Sequence, residues 1–301
     1  MYHAGALHGG TPDRWEENWE HNDFATALRF CESDPLLPLF QRYATPGSTM
    51  LEGGCGQGQY VAYYSARNVK VVGLDFAQQT LQRLRDRVPN LKLCAGDVAA
   101  LPFPDDTFDL YYSGGVVEHF EGGPERAIAE ARRVLKTGGV LLISVPYLNL
   151  LRRGLSPFRA KVWKRVKDAA IDVREDSKFF QYIYSTREFE AMLRQAGLRV
   201  IATQGYGILW GLYDVSFLEK LAARIGGNGT GSPAASSTAQ NNGESNSTAT
   251  PGDGRPTTVR GLLKRLAVNE DDTVPIAGLG VRLMRVVCAN MMMYVCRRSD
   301  P

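Results

Sequence analysis

The run Leu51-Glu52-Gly53-Gly54-Cys55-Gly56-Gln57-Gly58-Gln59-Tyr60 sets three alternating glycines, Gly54, Gly56 and Gly58, just behind an acid. Glycine lets backbone approach a ligand that a Cβ would hold off. Turns without ligands use glycine too, so the spacing carries more information than the glycines themselves. A dinucleotide fingerprint, G-x-G-x-x-G, needs its third glycine at position 59, which is Gln59. The leading carboxylate of Glu52 suits a cationic ligand and would repel a pyrophosphate.

Further candidate residues recur at regular intervals downstream. Asp75 stands 21 residues after Gly54, at the end of an apolar run, where a carboxylate can accept hydrogen bonds from both hydroxyls of a ribose. An ordinary strand-terminal aspartate is the competing reading. In Ala95-Gly96-Asp97-Val98, Asp97 can accept from an adenine amino group while Val98 offers an apolar surface to the ring. The stretch Ser113-Gly114-Gly115-Val116-Val117-Glu118-His119-Phe120 supplies the candidate general bases, His119 and Glu118; shaping the loop is their alternative role.

These segments need elements to hold them, and the pattern predicts strands alternating with helices. Strands are expected at 48–53, 70–75, 91–96, 108–113, 140–145, 198–203 and 290–296, with helices at 56–68, 77–87, 124–135 and 186–196. The glycines after Lys136 are expected to close the third helix. Such alternation means an α/β doubly wound, mostly parallel seven-stranded sheet, with helices on both faces and helical lid elements. In that architecture ligands bind at the carboxyl ends of the strands.

In their order and spacing the segments resemble the class I (Rossmann-like) S-adenosylmethionine (SAM)-dependent methyltransferase family, small-molecule type. The motif A-G-D-x-x-x-L-P-F-x-D-x-x-F-D stands at residues 95–109 and R-V-L-K-x-G-G at 133–139. The resemblance covers residues 48 to about 204 and the last strand, and implies that this strand is antiparallel. It implies SAM as the cofactor, with Glu52, Gly54, Cys55, Gly56 and Gly58 around its methionine part. Asp75 would hold the ribose, Phe76, Asp97 and Val98 the adenine, and Ser113 would supply backbone beside it. The implied reaction is in-line methyl transfer to an O, N or C atom of a small molecule, for which orientation does most of the work. Gly53 departs from the family, which more often has a bulky aliphatic there. Gly115 replaces the first acid of an E-x-x-E-H metal motif, so no metal is expected. No Asn/Asp-Pro-Pro-Tyr motif follows the fourth strand, which argues against a nucleobase acceptor. A SAM-binding or partner-activating protein without turnover stays open on the same fold. An NAD-dependent oxidoreductase is opposed by Gln59 and Glu52.

The rest of the 301 residues bounds these readings. Net charge is +3 and 44% of residues are hydrophobic, an ordinary globular balance with no global field for nucleic acid. Five cysteines without zinc-like spacing, and no basic-then-apolar leader, predict reduced thiols and a cytoplasmic protein. The apolar stretch 276–296 is interrupted by Arg282, Arg285 and Asn290, which excludes an integral membrane span. Expected domains are an N-terminal helical lid segment (1–45) carrying Trp15 and Trp19, and a core (46–225) with a lid insert at 147–184. A disordered low-complexity insert (226–257) and a C-terminal helix and strand (258–301) follow. Basic residues of 152–167, interleaved with aromatics, could close on an acceptor or make peripheral membrane contact; a solvated amphipathic helix is the plainer alternative.

Overall fold

The computed structural model describes residues 2–4, 15, 19, 23–154, 179–213, 266, 270–273 and 277–299. The expected low-complexity insert at 226–257 and most of the basic lid segment, 155–178, lie outside the described residues. The elements in chain order are β1 (Tyr2–Ala4), α1 (Phe24–Phe30), α2 (Leu37–Tyr43), β2 (Thr49–Gly53), α3 (Gln59–Ser65), β3 (Lys70–Asp75), α4 (Gln78–Arg87) and β4 (Lys92–Ala95). After these come β5 (Phe108–Gly114), a 3-10 turn (Val117–His119), α5 (Glu125–Val134), β6 (Leu135–Pro146) and β7 (Phe179–Tyr182). The last are α6 (Thr186–Gln195), β8 (Leu198–Tyr206), α7 (Ile208–Tyr213), α8 (Ala277–Cys288) and β9 (Met291–Arg298).

Seven strands form one sheet in the order β4-β3-β2-β5-β6-β9-β8. β9 runs antiparallel to both of its neighbours, and the pairs from β4 to β6 are parallel. The chain winds outward from β2 through β3 to β4, then returns to place β5 on the other side of β2. That reversal opens a crevice above β2 and β5, where the glycine run lies. A small antiparallel pair, β1 with β7, was not expected from the sequence.

The sheet is buried on both faces because its strands are apolar at consecutive positions. Leu51, Tyr111, Leu141 and Tyr294 enter one core cluster; their neighbours Met50, Leu110, Leu142 and Val295 enter the other. α5 buries Ala127, Ile128, Ala131 and Val134, the stripe expected of a helix lying on a sheet. α6 starts in a capping box between Ser185 and Glu188 and buries Phe189. The Phe189 ring lies 5.2 Å from that of Tyr184 and 5.0 Å from that of Tyr294. Phe189→Ala should therefore lower stability by about 3–5 kcal/mol, read from urea unfolding; a loss below about 1 kcal/mol would mean that the site collapses freely.

Two local expectations need correction. α5, the third of the expected helices, ends at Val134 rather than being closed by the following glycines: Leu135 is already extended (φ −74°, ψ 136°) and opens β6, with Gly138 and Gly139 inside the strand. Leu135 is fully buried and paired with Phe108, so the sheet claims it before a helical cap can form. α3, the first of the expected helices, begins at Gln59 rather than position 56, because Gly56 and Gly58 take left-handed conformations.

Candidate functional site

A cavity of about 550 Å³ opens at the carboxyl ends of β2, β3 and β5, within the range of small-molecule sites. Of the residues expected to act here, Glu52, Gly54, Cys55, Asp75, Phe76, Asp97, Val98 and His119 line it. Gly56, Gly58, Ser113 and Glu118 do not.

Asp75 organises the glycine run. Its Oδ2 accepts the Gly56 N–H at 2.7 Å and its Oδ1 the Ala77 N–H at 2.9 Å. Burial raises the pKa of Asp75, and those two amides oppose the shift. Each oxygen keeps a second lone pair for a ligand hydroxyl. Gly54 has φ +77° and a Cβ there would strike the Val116 side chain; at Gly56 (φ +49°) it would stand 2.7 Å from the Trp19 indole. Gly56 thus lies beneath Trp19 rather than in the cavity wall. Gly58 caps α3 and presses on Leu84 of α4, a packing role.

Glu52 is 3% exposed, and its Oε2 has no hydrogen-bond partner. Burial raises its pKa well above the usual carboxylate range; the Val61 amide opposes this and the Asp75 carboxylate adds to it. An unpartnered buried acid in a cavity wall is costly unless a cation neutralises it. The Cys55 thiol is likewise pushed up, by burial first and then by Glu52 and Asp75, so it stays protonated. The space above Gly53 that a family aliphatic would fill is taken by Tyr111, whose Cε2 would lie 2.7 Å from a Cβ at 53.

Asp97 turns back on itself to accept the Ala99 N–H at 2.8 Å, beside buried Val98 and half-exposed Phe76. Arg133 clips the loop that follows. It donates to the carbonyls of Phe103 (2.7 Å) and Leu101 (3.0 Å) and to Asp105 (2.8 Å), while Glu130 braces its Nε at 2.7 Å. The two motif segments are thus one clamp, with Arg133 an anchor outside the cavity.

The far wall comes from the amino-terminal segment and from the loop after β5. Trp15 and Trp19 stack at 6.0 Å, and the Trp15 ring meets His119 edge-on at 5.0 Å. Gln57 donates to the Trp19 carbonyl at 2.7 Å. Tyr60 and Tyr112 also line the cavity, and the Tyr60 hydroxyl donates to buried Asp34, tying it to the segment between α1 and α2. Beside the loop, Gly114 and Gly115 reach the cavity where Ser113 does not: Ser113 is buried within the sheet and its Oγ has no partner.

Glu118 sits behind His119, its Oε1 4.0 Å from His119 Nε2 and its Oε2 without a partner. Burial lifts its pKa to about 8, so at neutral pH it is mostly protonated. A pKa raised in the folded state contributes stability that is complete below about 4.5 and lost as pH rises through about 8. Wild-type melting temperature should accordingly fall between about pH 4.5 and 8, and Glu118→Gln should flatten that fall. Parallel pH profiles for the two proteins would contradict the buried placement. Among the described residues no three His, Cys, Asp or Glu side chains converge as a metal site, and no helix is long and apolar enough to cross a membrane.

Comparison with known proteins agrees with this geometry. Residues 51–143 match the profile of a methyltransferase domain. A probable S-adenosylmethionine-dependent methyltransferase of Mycolicibacterium smegmatis is 34% identical over 129 residues, 41% of this chain and 50% of that protein. A probable tRNA methyltransferase 9B of Homo sapiens is 37% identical over 113 residues, 37% of this chain and 24% of that protein. The chain thus spans half or less of these relatives' length. In fold it is similar to a candidate sarcosine dimethylglycine methyltransferase from Galdieria sulphuraria, with TM-score 0.50, 14% identity, and coverage of 91% of this chain and 86% of that one. Strand order, glycine turn and matched domain agree: this chain carries a methyltransferase domain of class I fold, similar to those of SAM-dependent methyltransferases.

Proposed function

We propose that this chain transfers a methyl group from SAM to an O, N or C atom of a small-molecule acceptor. The observation that carries the reading is Glu52, a buried carboxylate with an unpartnered oxygen in the wall of a cavity edged by glycine backbone. The donor set fits the cofactor. Glu52 would take its ammonium group, Asp75 its ribose hydroxyls, and Asp97 with Val98 and Phe76 its adenine. When bound, SAM supplies a methyl group already activated by a sulfonium, so that the departing group is a neutral thioether.

The chain's own part is then to orient and to exclude water. Trp15, Trp19 and Phe120 wall the side of the cavity that carries His119. His119 can accept the proton of an acceptor O–H or N–H, a contribution of about 10²–10⁴ in rate where that proton must leave. Among the described residues that line the cavity there are three carboxylates and no lysine or arginine. Those walls suit a neutral or cationic small molecule better than a phosphate backbone.

Calorimetric titration with SAM and with NAD, followed by transfer of labelled methyl into fractionated extract, tests the proposal. Binding of SAM alone and label in the small-molecule fraction are expected, with transfer reduced about 100-fold or more in His119→Ala. Label in tRNA would replace the acceptor class, and binding without transfer into any fraction would favour a non-catalytic role.

A further inference from the structure

Once the residues assigned to the cofactor are set aside, the cavity wall left to the acceptor is aromatic. It carries Trp15, Trp19, Tyr60, Tyr112, His119 and Phe120, and no Lys, Arg, Asp or Glu among the described residues. Several of these rings are braced. Trp19 stands over Gly56, where a Cβ would come 2.7 Å from its indole, and its carbonyl accepts the Gln57 side-chain amide at 2.7 Å. Trp15 stacks on Trp19 at 6.0 Å and meets His119 edge-on at 5.0 Å. Tyr60 is held from three sides: Phe40 stacks on it at 5.3 Å, Tyr112 meets it edge-on at 5.3 Å, and Asp34 accepts its hydroxyl hydrogen bond. Aromatic faces are electron-rich and attract a cation, and rings already fixed lose little freedom in doing so.

Rings alone would also take a flat uncharged molecule, and charge decides between the two. The cavity walls hold three carboxylates, Glu52, Asp75 and Asp97, against no lysine or arginine among the described residues. SAM brings an ammonium and a sulfonium against one carboxylate, a single net positive charge. With those acids ionised the loaded cavity keeps a negative balance, which favours a cation and opposes an anion.

The nature of the nucleophile follows. A phenol, a carboxylic acid or a carbon acid reacts as its anion, which that field disfavours. An amine arrives as the ammonium that field and rings both hold, and it reacts as the neutral base once a proton has left. We propose that the acceptor is an amine, methylated on nitrogen, and that the aromatic wall binds its ammonium form. The inference rests on the methyl-transfer reading and narrows it. His119 takes one proton from the ammonium. The freed nitrogen lone pair then forms the N–C bond as the C–S bond breaks, and the electrons of that bond stay on sulfur as a neutral thioether. The imidazolium so formed stands 4.0 Å from the Glu118 carboxyl group.

Two measurements test it. In the first, the full chain saturated with SAM is titrated calorimetrically with choline and with neohexyl alcohol, its uncharged carbon isostere. Choline should bind at least about fivefold more tightly. Trp15→Leu should erase that preference and Trp15→Phe should keep most of it, with a thermal melt and a SAM titration run on each variant. Wild-type protein that binds choline no better than the alcohol would overturn the proposal, and this arm decides even where a variant fails to fold. A folded Trp15→Leu protein with the full preference would overturn the place of Trp15 in the wall. In the second, SAM carrying a carbon-13 methyl is added with the protein to a metabolite extract, and the methyl signal of the product is read by NMR. Methyl carbons on nitrogen, oxygen and carbon differ in shift, and an N-methyl signal is expected. An O-methyl or C-methyl product would overturn the amine and leave methyl transfer standing, whereas no label in any product would overturn both readings together.

Discussion

Asp75→Ala should weaken SAM binding by about 100-fold or more while leaving a folded protein, as read by calorimetry beside a thermal melt. The carboxylate has two tasks in one place. It holds the glycine run through the Gly56 amide and the start of α4 through the Ala77 amide, and it would accept the ribose hydroxyls. A hydrogen bond to a charged group contributes roughly 1.5–3 kcal/mol, and each 1.4 kcal/mol is about tenfold in affinity. Losing the ribose contacts alone therefore accounts for the expected change, and a loosened loop adds to it. Asp75→Asn separates the tasks: its carbonyl can keep one backbone amide, so its loss should be smaller than that of alanine. Unchanged affinity in Asp75→Ala would remove this strand end from the cofactor site.

How much of this was legible in the sequence depends on whether a feature is local or assembled by the fold. Alternating apolar pairs such as Met50–Leu51 and Leu141–Leu142 are visible in the chain, and they dictate a sheet buried on both faces. The capping box at Ser185 and Glu188 is equally local. The end of α5 was misread because glycines after a periodic run look like a helix stop, whereas Leu135 is drawn into the sheet by Phe108, far away in sequence.

In the site, Glu52, Asp75 and Asp97 were legible because strand ends converge by topology. Gly58 and Ser113 fall beside the same strand ends yet turn from the cavity, and one motif cannot give the direction of each side chain. Tyr60 and Tyr112 were missed. Tyr60 stood inside the glycine segment, but nothing local indicates that Asp34 orients its hydroxyl. The role of Arg133 as a clamp on the loop at 101–105 was hidden for the same reason, since its partners lie about thirty residues away. Trp15 was expected as lid material, and its edge-on contact with His119 comes only from the folded chain.

Glu52→Gln should abolish a proton linkage that the wild-type protein shows on binding SAM. In the free protein burial keeps Glu52 protonated at pH values where an exposed glutamate is ionised. An ammonium group beside it favours the carboxylate, so the bound state holds fewer protons than the free one. Affinity must then increase with pH from the ordinary carboxylate range up to the raised pKa, by at most about tenfold per pH unit, and level off above it. Titration in two buffers of different ionisation enthalpy should detect the release of up to about one proton per SAM in the wild type and none in the variant. The ligand-free protein should respond in the opposite sense. The stability contributed by neutral Glu52 is complete below the ordinary carboxylate pKa and declines as pH rises through the raised one. Glu52→Gln, which never ionises, should therefore melt higher than wild type on the alkaline side while binding SAM more weakly. No steric change produces both effects at once, since a glutamine differs from the protonated acid by little in shape. A wild-type protein that binds SAM without releasing a proton, with affinity flat in pH, would place the ammonium group elsewhere and leave the buried acid without a function.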